Sequence, residues 1–186
     1  MRSLQELVAY AKANPGKVSY ASGNSTAVIT GAALQQRAQI DVVHVPYNSA
    51  PQAWTDVISG RVPVMISDMV TALPQIRANA VRPLAVPSRD RYKQLPDVPS
   101  IAESGYPDFE LIAWLGLFGP AGVPQPVVER LSREIHKFMD LPDINAKLTE
   151  LGLEGFTTST EEFDKFVKDE YVHWMRVIKE AGIEAQ

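Results

Sequence analysis

Three things are scarce or absent in this 186-residue sequence: it has no cysteine, only three histidines and no apolar run of membrane-spanning length. The absence of cysteine excludes disulfides and thiolate chemistry and leaves the cellular compartment open. A membrane-crossing helix requires about 20 apolar residues in succession, and no stretch comes near that length. Met1 and Arg2 lead directly into a helical pattern, so the chain as given shows no export signal.

Positive charge is also in short supply. The sequence has 18 Lys and Arg residues against 22 Asp and Glu, a formal net charge of -4 and a pI near 5.4. Proteins that bind nucleic acid usually present a basic face, so we expect no nucleic-acid partner. With 45% hydrophobic residues, the chain is long enough for one substantial core or for two small lobes.

Short apolar segments alternate with amphipathic ones over the first half of the chain. Ser3 and Glu6 form a capping box that predicts a helix. Strands are predicted at residues 17–21, 42–45, 63–67 and 82–86, helices at 26–37 and 49–59, and a further helix that opens at Asp68 and that Pro74 should kink or restart. This alternation predicts the α/β class, with a parallel sheet covered by helices on both faces.

The second half of the chain has a different character. Residues 92–107 are rich in proline and glycine, so we expect a surface connector and place a lobe boundary after it. Residues 109–118 predict a buried strand, and helices are predicted at 127–139 and 142–151. A last helix should begin at Ser159, which forms a capping box with Glu162. Its apolar stripe, which we expect to be core, comprises Phe163, Phe166, Val167, Trp174, Met175 and Ile178.

The most informative segment lies between the first predicted strand and the helix that follows it. It consists of Ser22, Gly23, Asn24, Ser25 and Thr26. The first N–H groups of a helix have no partner within it, and the helix dipole favours negative charge there. The segment therefore predicts a site for a carboxylate or phosphate that needs no Lys or Arg, with the hydroxyls of Ser25 and Thr26 as added donors. In the simpler interpretation, Ser22, Asn24 or Ser25 is only an N-cap.

Four more polar residues follow the next two strands. Tyr47, Asn48 and Ser49 come after the second strand and should point toward the same edge of the sheet. Asp68 lies where the third strand gives way to a helix, at the crevice position where ligands of open α/β sheets usually bind. A carboxylate there would accept a hydrogen bond from a ligand amine or hydroxyl. Asp68 is equally well interpreted as an N-cap, and both interpretations stay open.

Patterns for catalysis and metal binding are weak. The three histidines, His44, His136 and His173, stand in no motif such as H-E-x-x-H. A Ser-His-Asp set can be assembled from Ser22, His44 and Asp68, but no serine lies in a G-x-S-x-G elbow. The carboxylates fall on helix faces and not at calcium-loop spacing. We therefore predict neither an enzyme nor a bound metal or other cofactor.

Eight segments in register along the chain resemble those of one protein family, the extracytoplasmic solute-binding receptors of tripartite tricarboxylate transporters, also called TctC or Bug proteins. The resemblance covers almost the whole chain. Its segments are Asn-Pro-Gly-Lys-Val-Ser-Tyr at 14–20, Ser-Gly-Asn-Ser-Thr at 22–26, Val-His-Val-Pro-Tyr-Asn-Ser at 43–49, Gly-Arg-Val-Pro-Val-Met-Ile-Ser-Asp at 60–68, Arg-Pro-Leu-Ala-Val-Pro-Ser at 82–88, Leu-Pro-Asp-Val-Pro-Ser-Ile-Ala-Glu-Ser-Gly at 95–105, Trp-Leu-Gly-Leu-Phe-Gly-Pro-Ala-Gly-Val-Pro at 114–124, and Glu-Glu-Phe at 161–163 with Trp174 and Ala-Gly-Ile at 181–183.

The resemblance implies a periplasmic-binding-protein-like fold of type II, with parallel or mixed sheets flanked by helices. Residues 1–108 would be the complete second lobe, and residues 109–186 the returning C-terminal portion of the first lobe. Such a receptor holds a small mono- or dicarboxylate, amino acids and aromatic acids included, between its lobes and delivers it to a membrane permease. The 22–26 segment would hold one carboxylate through backbone amides. Full-length members are periplasmic.

The chain departs from the family pattern in two respects. Asn48 stands where the family often shows Lys, which removes a positive charge from the predicted site. Full-length members are longer and begin with an export signal, followed by a strand and loop that form the other wall of the cleft. We therefore expect a truncated receptor, in which self-association covers the apolar residues 111–118. The alternative is a cytosolic ligand-sensing or protein-interaction domain derived from such a receptor.

Overall fold

The computed structural model describes residues 1–183 and has the α/β class predicted from the sequence. Three strands and seven helices are formed within these residues. In chain order they are α1 Leu4–Ala13, β1 Val18–Ser22, α2 Ser25–Ala38, β2 Val42–Pro46, α3 Ala50–Ile58, β3 Val64–Met65, α4 Met69–Arg77, α5 Gln125–Met139, α6 Pro142–Glu150 and α7 Thr160–Glu180.

The three strands form one parallel sheet in the order β2-β1-β3. Tyr20, in the middle of β1, lies opposite His44 of β2 on one side and Val64 of β3 on the other. Because all three strands run in the same direction, their carboxyl ends meet at one edge of the sheet. The helices α2, α3 and α4 each begin shortly after one of these ends.

Helices cover both faces of this sheet. Neighbouring residues of a strand point to opposite faces, and Tyr20 and Ala21 are both buried. The ring of Tyr20 contacts α2 at Gly31, where an added Cβ would come within 2.5 Å of it. Ala21 belongs to a second buried cluster with Ala53 of α3 and with Val62. The expectation of a sheet covered on both faces is therefore confirmed.

Capping contacts fix the first helix largely as predicted. The Ser3 hydroxyl accepts the N–H of Glu6 at 3.1 Å. The Glu6 carboxylate, however, accepts the N–H of Arg2 at 2.7 Å rather than that of Ser3, so the reciprocal half of the capping box is displaced by one residue. The four residues predicted to form the apolar face, Leu4, Leu7, Val8 and Ala11, are all buried.

Two predictions that involve proline differ from the structure. Of the strand predicted at residues 82–86, only a single bridge between Val86 and Ser100 forms. Pro83 and Pro87 stand in and beside this segment, and proline has no N–H to donate to a neighbouring strand. The prediction of a fourth strand is therefore wrong. In contrast, α4 accommodates Pro74 within one continuous helix, so the predicted restart does not occur.

The chain divides into two compact units. The first comprises Met1–Ala113 together with the end of the chain from Arg176, and it contains the sheet. The second comprises Trp114–Met175 and is built from helices and extended segments. The assignment of residues 1–108 and 109–186 to the lobes of a receptor stays a prediction.

The strand predicted at residues 109–118 does not form. Phe109 and Leu111 are buried, but Leu115, Leu117 and Phe118 are 87%, 72% and 62% exposed. An apolar run becomes a strand only where another strand offers hydrogen bonds along its length. Among residues 109–118, only Leu111 donates a backbone hydrogen bond to a distant part of the described chain, from its N–H to the Pro87 carbonyl at 3.0 Å.

Aromatic rings hold the second unit together. Trp114 contacts Phe163 and Phe166 of α7 with ring centroids 6.1 and 5.2 Å apart, and Phe118 lies 5.4 Å from Phe163. The predicted capping box at the start of α7 is confirmed, because Ser159 and Glu162 exchange hydrogen bonds of 2.9 and 3.1 Å. The stripe predicted to be core is half-buried, except for Met175, which is exposed.

None of the helices within residues 1–183 combines the length and the apolar character needed to cross a bilayer.

Gly31→Ala should destabilise the chain although alanine favours helix by about 1 kcal/mol. The new Cβ would overlap the ring of Tyr20, which is itself buried. We expect a loss of about 1–3 kcal/mol in the free energy of unfolding, measured by urea denaturation. The exposed α2 substitution Gln36→Ala serves as the control and should change little. A Gly31→Ala chain as stable as the wild type would contradict this packing.

Candidate functional site

Three helix N-termini lie at the carboxyl edge of the sheet. Asn24 caps α2 after β1, Ser49 caps α3 after β2, and Asp68 caps α4 after β3. Each of the three has an extended backbone, as an N-cap requires. The parallel sheet therefore brings together the three predicted site segments, residues 22–26, 47–49 and Asp68.

The first two of these segments are in backbone contact. A Cβ on Gly23 would lie 2.3 Å from the nitrogen of Ala50 and 2.7 Å from the carbonyl carbon of Ser49. The carbonyl of Ser22 also accepts the N–H of Tyr47 at 3.0 Å. Only glycine permits so close an approach, because any larger residue would collide with backbone atoms that cannot rotate away.

Asn24 connects the first segment to the third. Its Oδ1 accepts the N–H of Ala27 at 2.9 Å, and its Nδ2 donates to Asp68 Oδ2 at 3.3 Å. The side chain thus caps α2 and contacts the residue that caps α4. Asn24 therefore takes the role of the N-cap that the sequence left open among Ser22, Asn24 and Ser25.

Asp68 acts as the cap of α4. Its Oδ1 accepts the N–H of Thr71 at 2.9 Å and the Thr71 hydroxyl at 3.1 Å. Both carboxylate oxygens therefore already accept hydrogen bonds from protein groups, Oδ2 from Asn24. The capping interpretation matches this geometry, and a contact between Asp68 and a ligand stays a prediction.

Backbone donors remain available in the first turn of α2. The N–H of Ala27 donates to Asn24 Oδ1, whereas the N–H groups of Ser25 and Thr26 donate no hydrogen bond within residues 1–183. Ser25 is exposed and Thr26 is half-buried. No Lys or Arg occurs in segments 22–26 and 47–49 or at 67–71. An anion at this place would thus be held by oriented amides and hydroxyls.

The three residues predicted after β2 have different surroundings. The Tyr47 ring packs against the cluster of Ala21, Ala53 and Val62, and its hydroxyl donates to Asp56 Oδ2 at 2.8 Å. This hydrogen bond to a carboxylate, aided by burial, raises the pKa of the Tyr47 phenol. Asn48 is exposed, and Ser49 caps α3 without a side-chain hydrogen bond. Their contact with a ligand stays a prediction.

Sequence reasoning named Ser22 and His44 together only as members of a Ser-His-Asp set that it did not favour, and it did not predict a structural contact between them. The Ser22 hydroxyl lies 2.7 Å from His44 Nε2, and the imidazole stacks on Tyr20 with ring centroids 5.0 Å apart. Burial lowers the pKa of His44, which keeps the ring uncharged near neutral pH. The sequence alone does not reveal this contact, because the pairing register of β1 and β2 decides which of their residues become neighbours.

A Ser-His-Asp arrangement is not assembled in the described part of the chain. His44 contacts Ser22, but both oxygens of Asp68 bond to Asn24 and Thr71. Ser22 is only 2% exposed, so its oxygen has little access to a substrate. Nor do three or more His, Asp or Glu side chains within residues 1–183 come together in a group able to hold a metal ion.

Comparison with known proteins gives one consistent family. The family described as tripartite tricarboxylate transporter family receptor matches residues 1–183. A UPF0065 protein from the tcbD-tcbE intergenic region of Pseudomonas sp. strain P51 is 40% identical over 99% of this chain and 56% of its own length. The protein BugT of Bordetella pertussis is 30% identical over 97% of this chain and 56% of its own length. The chain thus spans 56% of the length of these two relatives.

Solved structures give the same result. Rpa4515 of R. palustris, solved with adipate, superposes with a TM-score of 0.92 at 29% identity over 98% of this chain and 62% of its own. MatC from Rhodopseudomonas palustris, solved with bound malate, has a TM-score of 0.78 at 26% identity over 95% of this chain and 62% of its own. The predicted fold, that of a periplasmic-type binding protein, is confirmed by these similarities.

Gly23→Ala should displace the 22–26 segment, because the added Cβ would overlap backbone atoms of Ser49 and Ala50. We expect the free energy of unfolding to fall by about 1–3 kcal/mol in urea denaturation. Gly60→Ala is not a suitable control, because Gly60 has a positive φ of 78°. Asn48→Ala, at an exposed position of the facing segment, is the better match and should be nearly neutral. Equal stability of Gly23→Ala and Asn48→Ala would refute the close approach.

Acidification should destabilise the folded state through His44. Burial lowers the folded-state pKa of His44 below its ordinary value, so the unfolded chain takes up a proton first as the pH falls. The contribution of His44 to the free energy of unfolding is therefore fully present above about pH 7 and is lost as the pH falls through the folded-state pKa. The free energy of unfolding, measured from pH 7.5 to 5, should fall more steeply for the wild type than for His44→Gln. Parallel curves would show that His44 is not responsible.

Proposed function

This chain belongs to the tripartite tricarboxylate transporter receptor family, and we propose that it is the part of a solute-binding receptor that holds a small carboxylate at the N-terminus of α2. The observation that carries this proposal is the pair of N–H groups of Ser25 and Thr26, which no described residue uses. They lie at the carboxyl edge of a parallel sheet, where ligands of such folds bind. The hydroxyls of the same two residues add donors.

The three site segments contain no Lys or Arg, and this limits how many carboxylates of a ligand they can hold. Amides and a helix dipole favour a single carboxylate by about 0.3–2 kcal/mol, less than a buried cation would. Adipate and malate accompany the similar structures of Rpa4515 and MatC, and both are dicarboxylates. We therefore propose a mono- or dicarboxylate, amino acids and aromatic acids included, with only one carboxylate held by the 22–26 segment.

Asp68 gives this site a second chemical preference. Its carboxylate would repel a second ligand carboxylate, but it can accept a further hydrogen bond from a ligand hydroxyl or ammonium group. Tyr47, Asn48 and Ser49 would line the side of the site formed after β2. A ligand with a donor near its carboxylate is thus favoured over a plain diacid of the same length.

For the whole receptor we propose two lobes that close around the ligand. Residues 1–108 would form the second lobe, and residues 109–186 the returning portion of the first. The full-length receptor would act in the periplasm and deliver its ligand to a membrane permease, without chemistry on the ligand.

A second function is favoured by one observation. Leu115, Leu117 and Phe118 are large, apolar and mostly exposed. Exposed apolar patches of this kind mark contacts with other proteins. If the chain acts by itself, it would be a ligand-sensing or protein-interaction domain, with self-association covering these residues.

Replacing Ser25 by proline tests the amide site directly. Ser25 is the first residue of α2, where proline is tolerated, and Asn24 before it has an extended backbone (φ -158°, ψ 165°) that proline accepts. Ser25→Pro removes one N–H donor and keeps the helix. Ser25→Ala, the matched control, removes the hydroxyl and keeps the N–H.

The measurement is a thermal-shift titration of both variants and the wild type with adipate, malate and a panel of monocarboxylates and amino acids. A ligand present at 100 times its Kd should stabilise the wild type by about 2.7 kcal/mol. We expect Ser25→Ala to keep most of this shift and Ser25→Pro to lose most of it. A wild-type melting temperature unchanged by every carboxylate would rule out the receptor function for this chain.

A further inference from the structure

The Ser22–His44 contact lies at the start of the proposed binding segment, residues 22–26. Ser22 is the last residue of β1 and is almost completely buried, and its hydroxyl contacts His44 Nε2 at 2.7 Å. Tyr20 and Ser22 are two residues apart on β1, so their side chains share the face that α2 covers. The imidazole of His44 reaches this face from the neighbouring strand and contacts both residues.

The surroundings of the imidazole keep it in place and uncharged. Its ring stacks on Tyr20, whose own ring contacts α2 at Gly31. β2 packs mainly against β1 and α2, and the only charged side chain in these two elements is Arg37, in the last turn of α2. The titratable neighbour Tyr20 has its pKa raised by burial and is neutral as well.

The position of Ser22 determines where the next residues can go. Gly23 follows at once and passes the backbone of Ser49 and Ala50 without room for a Cβ. A small rotation at Ser22 would therefore drive Gly23 into α3 or away from it. Asn24 and the free amides of Ser25 and Thr26 come next, within one helical turn.

We propose that His44 is a positioning residue for the carboxylate site. Its Nε2 holds the Ser22 hydroxyl, and this contact fixes the direction in which the N–H groups of Ser25 and Thr26 point. His44 itself does not touch the ligand. The inference rests on the proposed function for its effect on ligand affinity, whereas its effect on the backbone of residues 23–26 can be measured without any ligand.

The test compares backbone amide resonances of residues 23–26 in the ¹⁵N-labelled wild type and in variants. His44→Leu removes the hydrogen bond, whereas His44→Gln places an amide group where Nε2 was. His136→Leu is the matched control, because His136 also bonds through Nε2, to the Thr158 carbonyl at 3.0 Å, in the other compact unit. Adipate is then titrated into each chain.

We expect His44→Leu to shift the four amide resonances and to raise the Kd for adipate roughly tenfold, as the loss of one buried hydrogen bond implies. His44→Gln should restore both, and His136→Leu should change neither. In the wild type, the same amide resonances should titrate with the His44 ring between pH 7.5 and 5, and this titration should vanish in His44→Gln. If the His44 ring acted only through packing, glutamine would not restore the amide resonances and the Kd.

Resonances of residues 23–26 that stay at their wild-type positions in His44→Leu would overturn the proposal. If His44→Leu does not fold, Ser22→Ala breaks the same contact with a smaller change in volume and should shift the same four amides. If the wild type binds neither adipate nor any other carboxylate of the thermal-shift panel while His44→Leu still shifts the amides, the receptor function of this chain fails and the positioning role stands.

Discussion

Gly23 passes the backbone of Ser49 and Ala50 with no room for a Cβ, and the arrangement at the carboxyl edge of the sheet depends on this close approach. The loop after β1 crosses the start of α3 with no room for a side chain. Two hydrogen bonds then connect all three loops. The N–H of Tyr47 donates to the Ser22 carbonyl, and the side-chain amide of Asn24 donates to the Asp68 carboxylate. Three helix N-termini are thereby held together by backbone and capping contacts, without any ion pair between the loops.

The proposed carboxylate site would rely on dipoles rather than on charged side chains. Oriented N–H groups act strongly only within about the first turn of a helix, so their effect depends on direction and distance. A flexible lysine can follow a displaced ligand, whereas the amides of Ser25 and Thr26 cannot. In the proposed site, Gly23 and His44 would therefore act through the direction in which these amides point, which is set by the close approach of Gly23 to α3 and by the hydrogen bond between Ser22 and His44.

The two compact units differ in how they are stabilised. The first buries apolar residues on both faces of its sheet, Tyr20 and Ala21 among them. In the second, neither α5 nor α6 has a buried residue. The rings of Trp114, Phe163 and Phe166 contact one another but remain half-exposed. Aromatic contacts of this type contribute about 0.5–1.5 kcal/mol each beyond their buried area.

Local patterns in the sequence determined the α/β class, the helices and most of their caps, because capping and helical periodicity depend on residues three or four apart. Ser159 with Glu162 and the placement of residues 22–26 before a helix were predictable for this reason. The absence of strands at 82–86 and 109–118 was not predictable in this way. A strand needs a neighbouring strand to pair with, and the local sequence does not show whether one is in place. Only the tertiary structure decided that Ser22 meets His44, that Asn24 meets Asp68 and that Gly23 passes Ala50, because each pair is joined by the register of the parallel sheet and lies more than 20 residues apart in the chain.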